Sequence, residues 1–212
     1  RPDPTRWRFD IGTDWGNAQL EYDTDRPENV ALDGAGHLRI TARRESYQGR
    51  EYTSGRINTS GLFSHAYGRF EARIRLPEGQ GIWPAFWLLG ANFSSVGWPE
   101  CGEIDILEYR GQNPQQLIAS IHGPGYSGGN AIGGTFNTDV PLDDDFHIYG
   151  VEWDGQRITW TFDDLRYQAV TSANLPANAR WVFDHPFFII LNVAVGGHFV
   201  GPPNAQTPFP HG

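Results

Sequence analysis

Hydrophobic and polar residues alternate in short runs along much of the chain. Over residues 69–76, Phe70, Ala72, Ile74 and Leu76 alternate with Arg69, Glu71, Arg73 and Arg75. A period of two places the first set on one side of an extended segment and the second on the other, so this is a strand with one buried and one wet face. Residues 38–42 set Leu38, Ile40 and Ala42 against Arg39 and Thr41, and residues 158–162 set Ile158, Trp160 and Phe162 against Thr159 and Thr161. Residues 146–153 are rich in aromatic and β-branched side chains, which suits a strand. Residues 187–195 are apolar almost throughout, which suits a central strand covered on both sides. Turn-forming clusters separate these runs at 33–36, 77–81, 123–129, 163–164 and 196–197. One weak helical segment, 176–181, is expected to make a turn or two. No internal repeat, linker or low-complexity block interrupts the pattern, so the chain reads as one all-β domain over residues 1–212, an antiparallel sandwich.

Composition narrows the function. The 212 residues carry 16 Lys+Arg against 25 Asp+Glu, and every basic residue is Arg. The net charge of −9 argues against nucleic acid, whose phosphates are held by clustered cations. The longest apolar stretch is broken by Asn192 and is far below the ~20 residues of a membrane-spanning helix. The lone Cys101 excludes an internal disulfide framework and a multi-cysteine metal site, and reads as a small buried filler. The glycines at 123, 125, 128 and 129 lie in a loop and not between a strand and a helix, so they read as turn chemistry and not as a phosphate cradle. With no Met in the sequence, the chain is expected to be a processed or trimmed form.

One segment carries candidate chemistry: Glu103-Ile104-Asp105-Ile106-Leu107-Glu108. As a strand it puts Glu103 and Asp105 on one face and Ile104 and Ile106 on the other. Strict alternation would then send Leu107 to the carboxylate side and Glu108 into the apolar side. Burying an unpaired carboxylate costs several kcal/mol. A one-residue β-bulge at Ile106-Leu107 removes the conflict, keeping Leu107 with the core and returning Glu108 to the other acids. The two Glu Cα atoms would then lie roughly 13 Å apart at ~3.3 Å per residue. Side chains leaning together over a concave sheet could close much of that gap, and a retaining glycosidase needs about 5–5.5 Å between its carboxyl groups. Asp105 between them could split the two Glu pKa values. Spacing alone leaves three readings open: an acidic surface face, a metal site, or a catalytic group. Metal is the weakest of them, since hard cations usually draw ligands from several segments.

The segment resembles the active-site strand of glycoside hydrolase family sixteen in its bulged, laminarinase-type form. Trp15-Gly16-Asn17, Tyr52-Thr53-Ser54-Gly55-Arg56, Tyr67-Gly68-Arg69-Phe70-Glu71, Trp83-Pro84-Ala85-Phe86-Trp87, Asp145-Phe146-His147, Glu152-Trp153 and Leu191-Asn192-Val193-Ala194-Val195-Gly196-Gly197 resemble that family in the same order, over essentially the whole chain. The resemblance implies a concanavalin-like β-jelly roll of two curved antiparallel sheets with a concave cleft. It also implies endo-hydrolysis of β-1,3-glucan with retention, no cofactor, and a β-glucan polysaccharide or oligosaccharide as partner. By resemblance Glu103 is the nucleophile, Glu108 the general acid/base and Asp105 their helper. Trp98 is implied near the reacting sugar, Trp83 and Trp87 as aromatic platforms in the cleft, and Asn17 and Arg56 as binders of glucan hydroxyls. His122 ends the strand that the implied topology sets beside the acidic one, so it borders the cleft.

Three departures accompany the likeness. The family's opening Asp-Glu-Phe strand and its closing strand have no match here, so exposed edges on the convex sheet are expected. The carboxylate ligands of the family's structural calcium belong to those strands, so no bound metal is expected. After Gly196-Gly197, where a Trp is usual, stands Phe199. A monomer is expected, and secretion is inferred from where β-glucans lie. The rival readings are a non-catalytic β-glucan-binding protein on the same fold, a transglycosylase, and a hydrolase of mixed-linkage glucan.

Overall fold

The computed structural model describes residues 1–210. Two large antiparallel sheets face one another. The first has seven strands in the order Arg8–Phe9, Arg56–Asn58, Phe187–Val195, Ile82–Gly90, Glu103–Tyr109, Gln116–His122, Ile132–Asn137. The second has four, in the order Leu165–Thr171, Arg157–Phe162, His147–Trp153, Gly68–Ile74. The main core lies between them: Ile104, Ile106 and Leu107 from one sheet pack with Val151, Ile158 and Trp160 from the other. Gly68–Ile74 forms an edge of the smaller sheet, with Arg69, Glu71 and Arg73 on its polar side as the alternation predicts.

Phe187–Val195 is the interior strand expected from its composition, paired on both sides. Its polar interruption has a use: Asn192 Oδ1 accepts the indole N–H of Trp87 on the neighbouring strand at 2.8 Å.

The structure corrects four details. Residues 176–181 form no helix. The helical turn comes earlier, as a 3-10 helix at Ser172–Asn174 whose start is boxed by Thr171 and Asn174, and a four-residue α-helix, Phe93–Val96, lies where no periodicity pointed to one. The sheets are not antiparallel throughout: in a third, three-stranded sheet Glu21–Asp23 runs parallel to Arg50–Ser54. Two sheets are also not the full count, since Val30–Leu32 and Leu38–Ile40 make a separate ladder. Thr159 and Thr161, read as the wet side of their strand, are buried with their apolar neighbours.

The bulge is present. Opposite Ile82–Gly90, Asp105 pairs with Trp87 and Leu107 with Phe86, leaving Ile106 as the extra residue. Opposite Gln116–His122, Asp105 pairs with Ser120 and Glu108 with Ile118, so two residues face Ala119 alone. Ile106 and Leu107 are both about fully buried in the inter-sheet core. Burying each contributes about 1.5–3 kcal/mol, while the alternative register would lose Leu107 and strand a carboxylate. A further bond secures the kink: the indole of Trp160, reaching from the four-stranded sheet, donates to the carbonyl of Asp105 at 2.8 Å. Leaving that buried carbonyl unpaired would cost about 1–3 kcal/mol.

Candidate active site

Sheet register lays the site out in rows across one face of the seven-stranded sheet. One row runs Arg56, Asn192, Ala85, Glu108, Ile118, Thr135, and the next runs Asn58, Ile190, Trp87, Asp105, Ser120, Gly133. A third joins Phe188, Leu89, Glu103 and His122. The bulge is what brings Glu108 onto the same side as Glu103 and Asp105.

Each acid has a distinct setting. Asp105 is 3% exposed and accepts the hydroxyl of Ser120 at 2.8 Å. His122 Nε2 lies 2.9 Å from the same Asp105 oxygen and 3.7 Å from Glu103 Oε1. The backbone N–H of Gly128 donates to His122 Nδ1 at 3.0 Å. That nitrogen therefore bears no proton, and Nε2 is the one that donates to Asp105. The glycine-rich loop, read from sequence as turn chemistry alone, sets this tautomer.

Glu103, with 17% of its side chain exposed, accepts the indole N–H of Trp98 at 2.9 Å. Burial pushes its carboxyl well above the usual range. The charges of Asp105 and then Glu108 add to this, and the Trp98 bond opposes it. Glu108 is also raised, by burial first and Asp105 second. The Trp83 indole and Arg110 ease its charge, although Trp83 Nε1 makes no hydrogen bond of normal geometry. Glu103 thus has a direct donor that favours its anion, and Glu108 has none of that quality.

The other expected residues divide. Trp98 is 45% exposed, and its ring lies 5.9 Å from that of His122. Trp87 is half-buried on the cleft side, with its indole held by Asn192. Trp83 is 8% exposed and lies under Phe199, ring centres 4.7 Å apart, so most of its surface is already covered. Arg56 is held by Asp10 at 2.9 Å and lies 5.0 Å from the rings of both Trp15 and Trp87. Asn17 is exposed in a left-handed turn, and its carbonyl accepts the N–H of His198 at 2.8 Å. Gly197, at φ 89°, permits that approach, since a Cβ there would meet the same carbonyl at 2.5 Å. Cys101 is a filler beside Leu89, Phe188 and Ile190, and burial pushes its thiol up to about 11.

Ser120 was not anticipated. It stands two residues before His122 on the same strand, and alternation alone puts both on one face. Asn192 carried a visible signal as the one polar residue in an apolar run. Asp10 carried none.

Among the described residues, one group of three could offer a cation close ligands: Glu103, Asp105 and His122, with ligand atoms within 4.8 Å of one another. The hydrogen bonds just described already engage the Asp105 oxygen and both His122 nitrogens.

Two carboxyls raised by burial on one face of a two-sheet β-sandwich suit acid–base cleavage of a glycosidic bond. A model described as "Glycosyl hydrolases family 16" matches residues 13–208. A β-glucanase of Rhodothermus marinus is 44% identical over 210 residues, covering 94% of this chain and 73% of that protein. A glucan endo-1,3-β-glucosidase of Cryptopygus antarcticus is 40% identical, covering 92% and 77%. The crystal structure of the laminarinase catalytic domain of Thermotoga maritima is 45% identical, covers 100% of this chain and 89% of its own, and superposes with a TM-score of 0.94. The chain belongs to glycosyl hydrolase family 16, and it is a glycosidase.

Proposed function

We propose that the chain hydrolyses internal β-1,3 bonds of a glucan with retention, using Glu103 as nucleophile and Glu108 as general acid/base. The observation that carries the reading is the bulged strand, which puts three acids on one face, with the Trp98 indole donating to Glu103. In the first step Glu103 attacks the anomeric carbon while Glu108 gives its proton to the departing glycosidic oxygen. A glycosyl ester on Glu103 and a free reducing end result. Formation of the ester removes the Glu103 charge. Glu108, now ionised, takes a proton from water as that water attacks the same carbon, and both acids return to their starting forms.

Asp105 acts on both steps through its charge and position, held by Ser120 and His122. Trp98 offers an exposed ring face next to the reacting centre, and Trp87 and Arg56 line the cleft away from it. Sugars present apolar ring faces and a rim of hydroxyls, which such surfaces suit. Asn17 completes the set as a hydroxyl binder at the cleft edge. The same reading places the enzyme outside the cell, where such polymers lie, acting as a single chain.

Incubation with laminarin and with lichenan, products followed by chromatography, tests this. Laminarin should release a ladder of oligosaccharides faster than lichenan does, and Glu103→Gln should lower kcat at least ~10³-fold. Binding without release would convert the reading to a recognition module, and products longer than the substrate would convert it to transglycosylation.

A further inference from the structure

Beyond Glu108 the cleft face continues for one more row. Past the bulge the two strands stay in register, with Leu107 opposite Phe86 and Glu108 opposite Ala85, and the Gly111 N–H donates to the Ile82 carbonyl at 2.9 Å. The same register sets Arg110 opposite Trp83. Alternation turns Tyr109 into the core and puts Arg110 on the side of Glu108.

Phe199 covers this row. Its ring centre lies 4.7 Å from that of Trp83 and 4.2 Å from the guanidinium carbon of Arg110. The backbone fixes that contact from both sides. The carbonyl of Val200, the next residue, accepts the side-chain amide of Gln112 at 2.8 Å and that of Gln80 at 2.7 Å. Gln112 Oε1 in turn accepts the N–H of Gly81 at 3.3 Å. The segment that bears Arg110 therefore also holds the segment that bears Phe199.

The two arginines of this face are held differently. Arg56 bonds Asp10 through its Nε at 2.9 Å. The half-buried side chain of Arg110 has no hydrogen-bond or ion-pair partner among the described residues, although its Nε is fully covered. A guanidinium carries five donors in a planar fork, and donors shielded from water are unfavourable until something accepts from them. Arg110 is thus held in place by an aromatic ring, with its fork unclaimed.

Along the face the order is Glu103, Asp105, Glu108, Arg110. Under the proposed function Glu103 attacks the anomeric carbon and Glu108 serves the departing oxygen. Arg110 then lies past that oxygen, roughly 7 Å beyond Glu108 at ~3.3 Å per residue. Adjacent ring hydroxyls offer such a fork two acceptor oxygens.

We propose that Arg110 is a specificity-determining residue for the departing sugar: held against Phe199, its fork donates to two adjacent hydroxyls of the ring that leaves with the proton of Glu108. The proposal rests on the glucanase reading for the identity of that ring.

The test uses Arg110→Lys, which keeps a charge near Glu108 but loses the fork. Rates are measured on laminari-oligosaccharides and on an aryl laminaribioside, whose departing group carries no hydroxyl pair. The variant should lose at least about 10-fold in kcat/KM on the oligosaccharides and less than about twofold on the aryl glycoside. Parent-like rates on both substrates would show that only the charge matters, and equal losses on both would show a general defect; either result would overturn the proposal. A second arm needs neither cleavage nor a variant. The parent is titrated with laminaritetraose and with cellotetraose while the Arg110 Nε–H resonance is followed by NMR and binding by tryptophan fluorescence. The resonance should move and saturate with the sugar that binds. A resonance that stays still during binding, or binding of neither sugar, would overturn the proposal. A moving resonance in a protein that leaves laminarin intact would support it and sink the glucanase reading alone.

Discussion

Two strands of this protein carry acids at positions i and i+2, and they put them to different uses. Glu103 and Asp105 face a cleft, where Trp98, Ser120 and His122 supply donors and a bulge adds Glu108. Glu21 and Asp23 face inward, with one backbone N–H, one arginine and an oxygen left unbonded. Burial raises the carboxyl pKa of Glu103 and Glu108 in the first setting and of Glu21 and Asp23 in the second. Glu103 keeps 17% of its side chain exposed and can meet a ligand, and under the proposed function the raised value of Glu108 serves proton transfer. The closed acids, 1% and 2% exposed, cannot meet one. A raised carboxyl pKa alone therefore does not mark a catalytic group; access to a reacting atom does.

The largest effect expected at the open acids is at Glu108. Glu108→Gln should cut kcat on laminarin by about 10²–10⁴-fold, and by much less on an aryl glycoside whose leaving group needs no proton. Equal losses on both substrates would exchange the roles assigned to Glu103 and Glu108. Next comes the support of Asp105: His122→Asn removes the Nε2 donor to it and should lower kcat roughly 10-fold. It should also shift the pH profile, a readout that a purely structural histidine would leave unchanged.

The closed acids should speak through stability. Glu21 is raised from 4.5 to about 7, so the folded state favours its protonated form. Its contribution is intact below the unfolded value near 4.5 and is lost as pH rises through about 7. Glu21→Gln keeps an acceptor for Val195 and removes this loss. Its stability relative to the parent should grow between pH 5 and pH 8 by at most about 3 kcal/mol, seen as several degrees in Tm. A constant difference across that range would show that the acid is already charged at low pH. The smallest effect is expected at Trp98→Phe, which keeps a ring face but deletes the bond to Glu103; kcat should fall a few-fold and the acidic limb of its profile move upward.

Much of the open site was legible because its information is local. Alternation gave residues 69–76 their two faces, and the misfit of Glu108 with that alternation foretold the bulge. Ser120 was within reach of the same rule. The closed pair was not, although Glu21 and Asp23 also stand two apart. Nothing near them announces that a parallel partner and Val195, far along the chain, will bury both. The 176–181 segment failed for a related reason: a helical turn that short is decided by capping, and Thr171 with Asn174 closes one a few residues earlier. Thr159 and Thr161 read as wet because period two separates faces without saying what covers them.

The extra residue at Ile106 has a consequence for inheritance. Loss of one codon from the Ile106-Leu107 pair would restore strict alternation and still leave all three acids on one side. Gain of one codon would restore the same parity, but it would put an apolar residue among the acids and carry the last of them further from Glu103. A shorter active strand would thus keep its three acids adjacent, whereas a longer one would keep their polarity but part the last acid from the other two.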